Sequence, residues 1–156
     1  MKSKTYTPSV NIIRDFDEEI NYISTPNAQN IYNQIVSNYQ KGSRSFSIIG
    51  SYGSGKSSFI VALEQSLNGS NHVFKLAQLF KDLDEFQFIN LIGEHKSIIH
   101  SFCELLKLDS KSNDTGKVLE GLKNHLNELK NKGLVIVIDE FGKFLEYAAK
   151  ENPEDE

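Results

Sequence analysis

This 156-residue chain has a single cysteine, two arginines, no excess of basic charge and no apolar run long enough to span a membrane. Each shortage excludes something. One cysteine, Cys103, rules out an internal disulfide framework and suits a reducing compartment, the cytoplasm by default. Its neighbours Ile99, Phe102 and Leu106 share its helical spacing, so a packed thiol is expected there rather than a reactive one. The opening Met1-Lys2-Ser3-Lys4 is basic, but polar residues follow it where a signal peptide would carry an apolar core, so no membrane partner is indicated. A formal net charge of −4 gives no basic field, so charge does not indicate a nucleic-acid partner. The histidines, His72, His95, His100 and His125, show no metal-pair spacing. Internal repeats and low-complexity segments are absent, and the length suits one folded core.

What is present is concentrated in one stretch. Gly50-Ser51-Tyr52-Gly53-Ser54-Gly55-Lys56-Ser57 fits the pattern G-x-x-x-x-G-K-[ST] at every required position. Ser45-Phe46-Ser47-Ile48-Ile49 before it reads as a short buried strand, and residues 58–67 after it read as a helix, which is the context the motif requires. Gly50, Gly53 and Gly55 permit torsions that let successive amides turn inward as a nest for phosphate oxygens. The helix that follows presents free amides and a positive dipole end. Lys56 would neutralise β- and γ-phosphate charge, and the Ser57 hydroxyl would ligate Mg²⁺, a hard cation that prefers oxygen. Ser58 adds a hydroxyl at the helix start. These residues point to a nucleoside triphosphate site.

A second motif lies about 80 residues downstream. Leu134-Val135-Ile136-Val137-Ile138 is a continuous apolar run of the kind buried on both faces of a parallel sheet, and it ends in Asp139-Glu140. Ligands of open α/β sheets bind at the carboxyl ends of strands. Asp139 would reach Mg²⁺ directly or through water, and Glu140 would orient or deprotonate a water attacking the γ-phosphate.

The remaining elements follow from periodicity and punctuation. Val10, Ile12 and Ile13 suggest a short extended segment in a lead-in over 1–24. Thr25-Pro26 caps and opens a helix over 26–40, carried by Ala28, Ile31, Tyr32, Ile35, Val36 and Tyr39. Strands are expected at 72–76, 85–93 and 134–140. Helices are expected at 77–83, 95–107, 115–131 and 141–150. A core domain over 25–150 and an acidic tail over 151–156 complete the layout.

The two motifs together resemble P-loop ATPases that carry a glutamate directly after the second-motif aspartate, the AAA+ and STAND types, and among them bacterial AAA-type ATP-binding proteins. Thr25-Pro26-Asn27-Ala28, the loop with its flanks, and Ile138-Asp139-Glu140-Phe141-Gly142-Lys143-Phe144-Leu145-Glu146-Tyr147 carry the likeness. It implies a three-layer α/β/α P-loop NTPase with a mostly parallel sheet, Mg-ATP as ligand and hydrolysis to ADP and phosphate. By the same analogy Tyr22, Ile23 or Pro26 border the adenine, although packing onto the core explains them equally well.

The sequence departs from those families after Glu140. The sensor strand, the downstream arginine and the helical lid are missing, and Arg14 and Arg44 both lie upstream of the loop. The expectation is therefore an α/β domain incomplete at its C-terminus, the front part of a larger ATPase. A protein partner or self-association is expected in the complete protein, and the isolated chain would hydrolyse weakly or not at all. A nucleotide-dependent switch, a small-molecule or nucleotide kinase and a non-enzymatic remnant are the competing readings. The kinase suffers from too few arginines. Lys143 is read as a phosphate or partner sensor or, more simply, as a solvated helix residue.

Overall fold

The computed structural model describes residues 10–15, 20–69, 72–75, 80, 83, 85–108 and 114–151. The chain divides into two compact units, residues 1–86 and 87–156.

In the first unit, α1 (Pro26–Gln40) begins as its sequence dictates. The Thr25 side chain accepts a hydrogen bond from the Ala28 amide, and Pro26 occupies the first turn, where its missing N–H costs nothing. The second helix, α2 (Lys56–Leu67), follows the glycine-rich loop. Ala28 and Tyr32 of α1 pack with Phe59 and Ala62 of α2 around Phe74, which is 2% exposed. Tyr32 stacks on the Phe74 ring at 5.0 Å and Phe59 meets it edge-on at 5.2 Å.

Two polar devices pin the chain to this core. The buried Ser66 hydroxyl donates to the Ala62 carbonyl at 2.7 Å and accepts from the Phe74 amide at 3.1 Å. The Tyr32 hydroxyl donates to the Lys75 carbonyl at 2.7 Å, so the apolar body of the tyrosine stays in the core while its polar tip is satisfied. Near the end of the unit, the Asn68 carboxamide donates to the Phe86 carbonyl at 3.0 Å and accepts from the Phe86 amide at 2.9 Å. A side chain thus imitates a neighbouring strand.

Three expectations for this unit change. Residues 45–49 form no strand: the described sheet contains only two strands and this segment is not one of them. Ile49 is 94% exposed and Phe46 40%, and of the apolar residues of this segment Ile48 alone packs against the core. Residues 72–75 form bends rather than a strand, because the Phe74 amide is committed to the Ser66 hydroxyl; Leu76 lies outside the described residues. Instead of an extended segment, residues 11–15 make a turn that the Asn11 and Asp15 side chains close, with Ile12 fully buried. The helix expected at 77–83 falls largely outside the described residues.

The second unit is built on two parallel strands, β1 (Glu85–Ile92), whose first two residues belong to the first unit, and β2 (Lys132–Asp139). Between them come α3 (Ile98–Leu105) and α4 (Thr115–Glu128), and α5 (Gly142–Glu151) follows β2. Asp114 caps α4 by accepting from the Gly116 and Lys117 amides. Leu91, Phe102, Cys103 and Val118 form the core, with Ile138 and Leu122 packed against it. Cys103 is fully buried, as its helical setting implied. Burial of β2 on both faces is not found: Ile136 is 40% exposed and the rest of the apolar run is half-buried. The described helices and sheet are those of an α/β protein.

Candidate functional site

The loop Gly50–Ser57 is a set of turns that ends in a helix. Gly53 and Gly55 both take left-handed backbone, with φ of +75° and +85°, and no atom lies where a β-carbon would sit at either. The demand for glycine there is torsional rather than steric. At Gly50 a β-carbon would lie 2.9 Å from the Ser54 hydroxyl oxygen, a contact that rotation of the serine side chain relieves. Gly55 is the N-cap of α2 and provides no side-chain cap, so the first amides of α2 receive nothing from it.

Lys56, the first residue of α2, folds back over the start of the loop. Its ammonium donates to the Gly50 carbonyl at 3.0 Å and the Ser51 carbonyl at 2.9 Å. An ammonium has three donors, so one remains for an incoming anion. Ser51, Tyr52, Gly53, Ser54 and Gly55 are exposed, and Ser57 and Ser58 are half-buried at the helix start. Left-handed glycines, an uncapped helix N-terminus and a cation at the loop mouth form a donor set that fits phosphate oxygens.

Asp139 ends β2 in the second unit and Glu140 follows it in the turn before α5. The Asp139 carbonyl accepts from the Gly93 amide at 2.8 Å, which extends the pairing with β1 by one residue, and the Asp139 carboxylate accepts from the Glu140 amide at 2.9 Å. Glu140 is itself left-handed, with φ +52°, an uncommon conformation for a residue with a side chain. It turns the chain from strand into α5, and its carbonyl accepts from the Lys143 amide at 3.0 Å. Its carboxylate pairs with the Lys143 ammonium. That pairing raises the lysine pKa, with Glu146 and Glu94 adding to it.

The loop residues therefore come together in the first unit and the two acids in the second. Of the residues placed near adenine by analogy, Tyr22 packs 6.0 Å from the Phe74 ring, where burial pushes its pKa up; Ile23 is 85% exposed and Pro26 opens α1. Among the described residues no histidine, cysteine or acid cluster could hold a metal. His95 lies edge-on to Tyr147 and within 3.3 Å of the Lys150 ammonium, and His100 pairs with Glu104. No helix of the described residues is long and apolar enough to cross a membrane. Sequence reasoning missed the Glu140–Lys143 pair, although the spacing i, i+3 beside a helix start was there to be read.

A lysine-bearing helix opened by left-handed glycines defines the phosphate-binding loop of a P-loop NTPase. The profile of the KAP family P-loop domain matches residues 24–115, more than half of the chain, and the chain belongs to that family. The matched segment contains the loop and ends before Asp139. Comparison with curated proteins and with solved structures returns no match.

Proposed function

We propose that this chain binds Mg-ATP through its phosphate loop and that the complete protein hydrolyses it to ADP and phosphate. The observation that carries the reading is the Lys56 ammonium, which rests on two loop carbonyls with one donor to spare above a pair of left-handed glycines. Family membership supports nucleotide binding, and ATP, Mg²⁺ and hydrolysis go beyond it.

In this reading the amides of Ser51, Tyr52, Gly53, Gly55 and Ser58 hold phosphate oxygens, the Ser54 amide closes the loop on the Ser51 carbonyl, and Lys56 balances the phosphate charge. Ser57 and Asp139 are the oxygen donors for Mg²⁺, which when bound neutralises charge on the phosphates. Glu140 orients the attacking water and accepts its proton. Residues 25–150 would make up the nucleotide-binding core, of the AAA+/STAND type and three-layered in arrangement. A reducing cytoplasm suits the buried thiol of Cys103, and the complete protein would engage a protein partner or a second copy of itself.

Phosphate release from ATP by the wild-type chain and by Glu140→Gln tests hydrolysis. Turnover that Glu140→Gln abolishes while Mg-ATP still binds supports the assignment; turnover that survives the substitution removes Glu140 from it.

A further inference from the structure

We infer that Lys143 is a positioning residue for Glu140, a latch that holds the carboxylate against the start of α5 until it is displaced. The inference rests on the hydrolysis reading above and adds to it what controls the proposed base.

Three observations at the carboxyl ends of β1 and β2 support it. The backbone of Glu140 has little freedom: it is left-handed, its carbonyl lies against Gly93 and receives the Lys143 amide, and its own amide is held by Asp139. What remains mobile is the side chain, and its carboxylate is paired with the Lys143 ammonium. Lys143 in turn has reason to stay, because Glu94 and Glu146 add to the negative field that Glu140 exerts on it.

A carboxylate committed to an ammonium is turned away from a water it would otherwise orient. The pair is nonetheless half-exposed, at 52% for Lys143 and 42% for Glu140. Exposed pairs are weak and screened by water, so a nucleotide or a protein contact can open this one. The latch thus lowers basal turnover by a modest factor without altering how ATP is held.

The test compares the wild-type chain with Lys143→Ala, Lys143→Arg and Glu140→Gln, reading kcat and KM for ATP together. Lys143→Ala is expected to raise kcat by about 2–5-fold with KM unchanged. Lys143→Arg, which keeps the cation, is expected to stay at the wild-type rate. Turnover first detectable in Lys143→Ala would support the latch equally. If Glu140-dependent turnover is unchanged or reduced in Lys143→Ala, or if Lys143→Arg behaves like Lys143→Ala, the latch is wrong while the hydrolysis reading stands. Absence of turnover in every variant, Lys143→Ala included, contradicts the latch and leaves the hydrolysis reading, which concerns the complete protein; turnover that Glu140→Gln leaves intact overturns both. An NMR titration of the Lys143 ε-methylene without nucleotide checks the pair itself: its pKa should fall in Glu140→Gln, and an identical titration contradicts the latch.

Discussion

The main-chain carbonyl of Glu140 fills the space beside Gly93 in which a side chain would begin, and the Gly93 amide donates to the neighbouring Asp139 carbonyl at 2.8 Å. The end of β1 is therefore a wall that fixes where β2 stops and where its two acids turn. Neither half of that relationship is glycine flexibility in the usual sense, since Gly93 is not among the left-handed glycines. It is a matter of close approach.

Gly93→Ala is accordingly expected to destabilise the second unit by about 1–3 kcal/mol, the usual cost of forcing extra atoms into a filled site. Chemical denaturation checks this, and an unchanged midpoint would mean that the two strand ends separate without penalty.

The phosphate loop calls for a different glycine test. At Gly55, φ is +85° and the space around a β-carbon is open, so Gly55→Ala should cost about 1–2 kcal/mol through backbone strain alone. Gly55→Asn should cost less, because asparagine tolerates this conformation. Equal losses for the two variants, measured by denaturation, would argue against a torsional origin.

Much of this architecture was legible in the sequence, and the parts that were not share a physical cause. Thr25-Pro26 announced α1, and its bounds are those expected, because capping is a local interaction over three residues. Apolar runs likewise gave β1 and β2 to within one or two residues at most ends. Residues 45–49 read as a strand and are not one, since pairing depends on a neighbour that a run of apolar residues cannot specify. The Asn68–Phe86 bracket and the contact of Gly93 with Glu140 join residues far apart in the chain, and such contacts leave no periodic trace. In the candidate site, the turns at Gly53 and Gly55 and the place of Lys56 at the start of α2 were expected from spacing, whereas the left-handed turn at Glu140 and its pairing with Lys143 were not.

Phe74 is the most consequential core residue of the first unit, touching Tyr22, Tyr32 and Phe59. Phe74→Ala should lower stability by about 3–5 kcal/mol, since it removes a buried ring and leaves a cavity. Ser66→Ala tests the polar half of the same arrangement: it leaves the Phe74 amide without its hydroxyl partner, at an expected cost of about 1–3 kcal/mol. A Ser66→Ala chain as stable as wild type would show that this amide finds another partner.

Acid sensitivity should include a contribution from Asp15. Hydrogen bonds from the Arg14 guanidinium hold its carboxyl below the ordinary value against the opposing effect of burial, with help from the Asn11 amide. A carboxyl whose folded pKa is lowered stabilises the fold above its unfolded pKa, about 3.9, and loses that contribution as pH falls through the folded value. The stability gap between wild type and Asp15→Asn should therefore be full near neutrality and shrink below about pH 4. A gap independent of pH would assign the effect to packing instead.

Everything proposed for this chain depends on the loop at Gly50–Ser57 binding nucleotide through Lys56. Isothermal titration of the 156-residue chain with Mg-ATP, beside Lys56→Ala, tests it most directly. Saturable one-site binding by the wild type and its loss in a Lys56→Ala chain that remains folded are expected. Equal binding by both, or none by the wild type at millimolar Mg-ATP, would contradict it.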